Sequence, residues 1–194
     1  MPEGVDWHGG IAFVDRDGVL NQDIGGHVNN PDELMLYEGS ADAVAKLRRR
    51  GWKTCLVTNQ SAIGRGWWDE DNLDLIHRKL ISELQRIDPD ALLDSIQYCP
   101  HPPWDGCPCR KPMPGMLFSG MKELRGDEMR VSNWNSQKPK PLHPLDSMIG
   151  DRKGDMGAGW QIGARLFRVD KRTGISSVIT RVLDRDDAGD DFEP

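Results

Sequence analysis

Residues 11–18 read IAFVDRDG, four apolar residues that run into two aspartates one position apart and then a glycine. So short an apolar run, bounded by glycine and aspartate, suits a strand buried on both faces and is too brief for a helix. The two carboxylates then stand where the chain leaves the sheet, and in extended backbone residues i and i+2 point the same way. Acids held close together repel unless a cation or a proton lies between them. Asp15 and Asp17 therefore invite a divalent metal or a divided acid–base role. Oxygen donors favour magnesium over zinc.

Outward from this stretch the pattern recurs. Thr54–Val57 reads as a second buried strand ending at Thr58, Ser95–Tyr98 as a third, Ser147–Ile149 as a fourth and Ala164–Val169 as a fifth. Between them, Ser40 can cap a helix with Ala43, Val44 and Leu47 on one face and Gly51 as its stop. From Asp69, the positions Leu73, Ile76, Leu80, Leu84 and Ile87 step by three or four, and Pro114 opens a further helix. Alternating strands and helices predict an α/β fold, a doubly wound parallel sheet whose ligands bind beyond the carboxyl ends of the strands. Asp15, Thr58, the 99–111 loop and Asp151 all fall there. Gly150-Asp151-Arg152-Lys153-Gly154-Asp155 could complete the protein ligands of the same ion.

Cys99, His101, Cys107 and Cys109 offer three thiolates and an imidazole within eleven residues, a full tetrahedral donor set for a closed, structural zinc. Cysteines so close together cannot all pair as disulfides without strain. Cys55, inside a strand, reads as a small buried hydrophobe. A zinc knot leading straight into Arg110 and Lys111 would fix two cations at the pocket rim. Residues 126–144 break all periodicity. Arg130, Trp134, Lys138 and Lys140 there could stack on and neutralise a nucleotide, set against a plain solvated loop. Trp67 and Trp68, after Gly66, could cover the pocket or cap a core, and the reading leans to core.

The 194 residues allow one domain, taken as 1–183, followed by an acidic, disordered tail, 184–194. That tail holds six acids against Arg185, so it carries nearly all of the net charge of −6, and the body lacks the positive field of a duplex-DNA binder. No apolar run approaches the roughly 20 residues that span a bilayer, and the start MPEGVDWHGG has no signal-peptide pattern. A cytoplasmic monomer without membrane partners is the expectation.

Aspartate and glycine end strands often, so either acidic cluster alone is weak. In order, DRDG, TNQS, RKP and GDRKGD resemble the four motifs of the haloacid dehalogenase superfamily over roughly residues 11–170. The resemblance implies a Rossmann-type sheet with a minimal cap. Asp15 would be the nucleophile that forms an aspartyl-phosphate. Asp17 would protonate the leaving oxygen and then activate water. Asp15, the backbone carbonyl of Asp17 and Asp151 would bind magnesium with Asp155 in support, while Thr58 and Lys111 hold the phosphoryl oxygens. CPH…CPCRKPMPGM with TNQSAIGRG is similar to the branch acting on heptose bisphosphates and histidinol phosphate, and leans toward the former. It implies that Arg110 recognises a remote phosphate or hydroxyls of a small phosphorylated substrate, with Asp23, Asn59, Gln60, Ser61 and Arg152 nearby. His27 departs from the branch, which tends to carry tyrosine there. A nucleic-acid or nucleotide 3′-phosphatase and a catalytically silent zinc-stabilised binding module stand as alternatives.

Overall fold

Five parallel strands, β1 (Ile11–Val14), β2 (Lys53–Asn59), β3 (Ser95–Cys99), β4 (Ser147–Gly150) and β5 (Arg165–Arg168), form one sheet in the order β3-β2-β1-β4-β5. The computed structural model describes residues 1–128 and 137–193. Side chains alternate across this sheet. Ala12, Val14, Leu56, Ile149 and Phe167 pack with α1 (Ser40–Arg49), α2 (Glu70–Ile87) and α5 (Ile179–Leu183). Ile11, Phe13, Cys55, Val57, Met148 and Leu166 pack with α3 (Gly115–Arg125) and α4 (Lys153–Gln161) on the other face. Cover on both faces is why β1, at the centre of the sheet, reads as a continuous apolar run.

Sheet growth reverses between β1 and β4, the switch point at which such sheets bind ligands. Val14 is in register with Leu56 on one side and Ile149 on the other, and the Asp15 N–H donates to Ile149 O at 3.0 Å. β1 and β4 thereby end within a residue of each other, while β2 runs three residues further, to Asn59.

Three details differ from the sequence reading. Ser40 is the first residue of α1, not its cap: Gly39 occupies the cap position, and the Ser40 hydroxyl donates to Leu20 O at 2.8 Å. Helix α4 has no amphipathic signal because Asp155 to Gln161 are all buried. Its glycines are packing devices: a Cβ on Gly159 would stand 2.4 Å from Met148 Cβ, so only glycine lets α4 lie on β4.

The tail is the third correction, because residues 184–193 are docked along β5. Arg165 donates to the carbonyls of Asp184 and Asp187, and Arg181 pairs with the carboxylates of Asp187 and Asp190 at 2.9 and 2.7 Å. Asp190 N–H donates to Leu166 O, its carboxylate accepts from Arg168 N–H, and Phe192 packs against the core. An edge strand exposes unpaired backbone groups, and this segment covers them. No helix among the described residues is long and apolar enough to cross a membrane.

Candidate active site

Carboxylate oxygens of Asp15, Asp151 and Asp155 lie within 4.8 Å of one another, all three residues buried. Lys111 Nζ sits among them, 2.8 Å from Asp15 Oδ1 and 2.6 Å from Asp155 Oδ1, and donates to Val57 O at 2.7 Å. Burial alone would strip its charge, but Asp15 and Asp155 hold its pKa above the usual lysine value. Asp15 behaves oppositely. Burial pushes it up to about 7 against the pull of Lys111, with Asp155 and Asp17 adding repulsion. A cation beside the three carboxylates would favour its anionic form.

Asp151 shows where that cation fits. Both of its oxygens are buried without a hydrogen bond, and its ionic neighbours are Lys171 Nζ at 3.2 Å and Arg152 Nε at 3.6 Å. Orphaned carboxylate oxygens beside two further carboxylates form a hard-oxygen set suited to magnesium. Gly18 (φ +81°) makes the approach possible, since a Cβ there would stand 2.8 Å from Asp151 Oδ2. The Asp17 side chain is not among these donors.

Asp17 is held by a different set. The fully buried Arg16 meets it with two hydrogen bonds of 3.1 and 3.0 Å, while Asn21 and Gln60 amides donate to it at 3.0 and 3.1 Å. Burial would raise its pKa, but Arg16 and these donors bring it below the usual carboxylate value. Gln60 also donates to Thr58 Oγ1 at 2.7 Å and is wholly buried, so it braces the two functional side chains and does not face substrate as expected. Asn59 is similarly engaged: its amide exchanges two 3.1 Å hydrogen bonds with the Lys111 backbone.

These groups open into a cleft of about 360 Å³ whose lining includes Asp15, Asp17, Thr58, Asn59, Ser61, Arg110, Lys111, Arg152 and Asp155. Asp23 lies outside the lining and acts on it indirectly, 3.3 Å from Arg152 Nη2 and 3.6 Å from Lys171 Nζ. Sequence reasoning assigned no role to Arg16 or Arg65. Arg65 lines the cleft together with His27. Its signal was the IGRG run; Arg16's was its place between the two aspartates. Trp67 is not core: it is 59% exposed and meets the His27 ring edge-on, while Trp68 Nε1 donates to Asn29 at 3.3 Å. Both follow a loop that leaves the sheet before α2 begins. Arg130 and Trp134 lie outside the described residues.

Beside the cleft, donor atoms of Cys99, His101 and Cys107 fall within 4.8 Å of one another. Cys109 is not in this closest group, although its N–H donates to Cys107 Sγ at 3.4 Å and burial together with Cys107 raises its thiol pKa. Burial, with Cys107 and Cys109 adding to it, pushes Cys99 up to about 11. Crowded thiols ionise together only next to a cation, and soft donors of this type suit zinc. Arg110 is tied to the same loop through a 3.0 Å hydrogen bond to His101 O.

No family model matches the chain. It is 38% identical to the D-glycero-beta-D-manno-heptose-1,7-bisphosphate 7-phosphatase of Haemophilus influenzae over 169 residues, 84% of this chain and 81% of that one. The like-named protein of Bordetella bronchiseptica is 44% identical over 106 residues; the chain spans 58% of that relative's length. Among solved structures, the D,D-heptose 1,7-bisphosphate phosphatase of B. bronchiseptica, complexed with magnesium and phosphate, superposes with a TM-score of 0.69 at 32% identity, covering 88% of this chain and 86% of that one.

Proposed function

The chain belongs to the D-glycero-beta-D-manno-heptose-1,7-bisphosphate 7-phosphatase branch of the haloacid dehalogenase-type phosphatases, and we propose that it is a magnesium-dependent phosphomonoesterase releasing the 7-phosphate of that sugar. One observation carries this reading: the convergence of Asp15, Asp151 and Asp155 at the sheet's switch point, with Lys111 ion-paired to Asp15 and Asp155.

Asp15, Asp151 and Asp155 would hold magnesium, which when bound supplies positive charge against the phosphoryl oxygens. Asp15 Oδ attacks phosphorus and the P–O bond to the sugar breaks, giving an aspartyl-phosphate and a sugar hydroxyl. Water then attacks phosphorus, breaks the Asp15 acyl-phosphate bond and releases phosphate. Lys111 and Thr58 stabilise the charge on the transferring group. Asp17, ionised by Arg16, is suited to take the proton of that water. An approaching phosphate dianion raises its proton affinity by like-charge repulsion, which equips it to protonate the departing sugar oxygen in the first step. Asp23 fixes Arg152, and Ser61, Arg110 and Arg152 line the path of the sugar.

Cys99, His101, Cys107 and Cys109 would hold a structural zinc, whose service is to set Arg110 and Lys111 in place. A reducing cytoplasm, keeping the thiols available, and a monomeric state complete the reading.

The test is phosphate release from heptose 1,7-bisphosphate, histidinol phosphate and a 3′-phosphorylated oligonucleotide, with and without magnesium, in wild type and Asp15→Asn. Magnesium-dependent turnover of the heptose, abolished in the variant, is expected. Preference for another substrate replaces the substrate assignment; turnover surviving in Asp15→Asn removes the nucleophile.

A further inference from the structure

Three arginines line the cleft, and they differ in what already engages them. Arg152 is paired with Asp23 and Asp151, and Arg110 donates to the carbonyl of His101. Arg65 has no acid or carbonyl partner for its guanidinium among the described residues. Its neighbours are two indoles, with the guanidinium carbon 4.7 Å from the centre of the Trp104 ring and 5.5 Å from that of Trp67. Both tryptophans are more than half exposed, at 69% and 59%. Rings at this distance attract the guanidinium and hold it at the mouth of the cleft.

The loop is built to hold this arrangement. Gly64 N–H donates to Pro100 O at 3.0 Å, and a Cβ on Gly64 would stand 2.7 Å from both Pro100 O and Pro102 Cδ. Glycine thus lets the segment before Arg65 lie directly on the cysteine-bearing loop that carries Trp104. Arg65 N–H and Trp67 N–H donate back to Ser61 O and Ala62 O at 3.1 and 3.0 Å, closing the turn that starts at the cleft. His27 backs Trp67 from the opposite wall, ring centres 5.2 Å apart.

A guanidinium stacked against aromatic rings keeps its in-plane N–H edge, the part that binds phosphate in bidentate fashion, and loses rotational freedom before any ligand arrives. At the floor of the cleft, the three protons of Lys111 are already directed to Asp15, Asp155 and Val57 O. A substrate bearing two phosphates needs a second cationic contact away from that floor.

We propose that Arg65, clasped by Trp67 and Trp104, is a specificity-determining residue that receives the distal phosphate of the substrate at the mouth of the cleft. The inference rests on the reading of the substrate as a bisphosphorylated sugar. Arg65 does not touch the transferring phosphoryl group; it selects for the second one, and the indoles set its orientation.

Steady-state kinetics on heptose 1,7-bisphosphate and on heptose 7-phosphate, which lacks only the distal phosphate, tests it in the full chain with magnesium. The quantity read is the ratio of kcat/KM for the two sugars. In Arg65→Met that ratio is expected to fall about 10- to 100-fold, chiefly through KM for the bisphosphate, as loss of a charge-assisted contact predicts. Arg65→Lys should restore it only in part, and Trp104→Leu should lower it in the same direction by less. A misfolded variant lowers both activities and leaves the ratio where it was, so Arg65→Gln is run alongside. An unchanged ratio in a neutral variant that keeps the wild-type thermal midpoint overturns the role of Arg65 while the phosphatase reading stands. Wild type that hydrolyses neither sugar, but does hydrolyse another phosphate ester, retires the substrate assignment and this inference together.

Discussion

At the scale of single residues, two carboxylates two positions apart are driven in opposite directions. Asp15 is pushed toward neutrality by burial against the pull of Lys111, whereas Arg16 and its neighbouring donors bring Asp17 below the usual carboxylate value. Gln60 joins the two halves, since one amide group serves both Asp17 and Thr58. Gln60→Leu should leave the fold standing and reduce kcat about 10-fold or more, the effect of two misdirected functional groups; an unchanged kcat removes its bracing role. His77 gives the stability of the protein a pH dependence. It is buried, and burial together with the Arg16 charge lowers its pKa to about 4 against the weaker pull of Asp17 and Asp74. The unfolded chain, with its histidine near 6.5, therefore binds more protons than the folded one between about 4 and 6.5. Stability from this group is complete above that window and falls as pH drops through it, by about 3 kcal/mol at the lower end. Urea midpoints at pH 7.5 and 4.5 check this: His77→Leu should narrow the difference, and an equal difference in both proteins counts against it.

At the scale of elements, the two features least legible in the sequence are α4 and the loop before α2. Helix α4 shows no stripe because its last seven residues are all buried, and the role of its glycines emerges only with the sheet beneath them. Gly159→Ala should cost about 1–3 kcal/mol by overpacking, since Met148 Cβ belongs to a strand that cannot retreat. A thermal midpoint within a degree of wild type would mean that α4 can slide. In the cysteine loop, Cys107→Ser should abolish stoichiometric zinc in the purified protein and depress activity without removing any group of the carboxylate site. Full activity in a zinc-free variant would separate the loop from the cleft. The four donors were visible as a spacing pattern. Their unequal approach, with Cys109 farther out, was not, because spacing bounds loop length but leaves its path open.

At the scale of the whole molecule, the acidic end belongs to the folded body. Six acids in eleven residues have the composition of a solvated tail, yet Arg165, Arg168 and Arg181 of β5 and α5 provide the matching charges and backbone contacts. Removing residues 184–194 uncovers an edge strand, strips Phe192 from the core and leaves the largely buried Arg165 short of two acceptors. A loss of about 2–4 kcal/mol is expected, measured as a lowered urea midpoint, with kcat on the substrate little changed. An unaltered midpoint would show that the contacts along β5 contribute no stability.

The chain by itself determined the sheet class, the order of its strands along the sequence and the carboxylates at their ends. Those features follow from apolar runs and turn residues that act locally, within a few positions. Tertiary structure alone decided which polar side chains meet the cleft and which meet each other. Asn59 and Gln60 turn inward to Lys111, Asp17 and Thr58, while Arg65, Trp67 and Trp104 come together from two loops nearly forty positions apart. The physical reason is that a buried polar group must find a partner wherever the packed chain supplies one. That partner is set by the register of neighbouring strands and the path of loops, which no local pattern records.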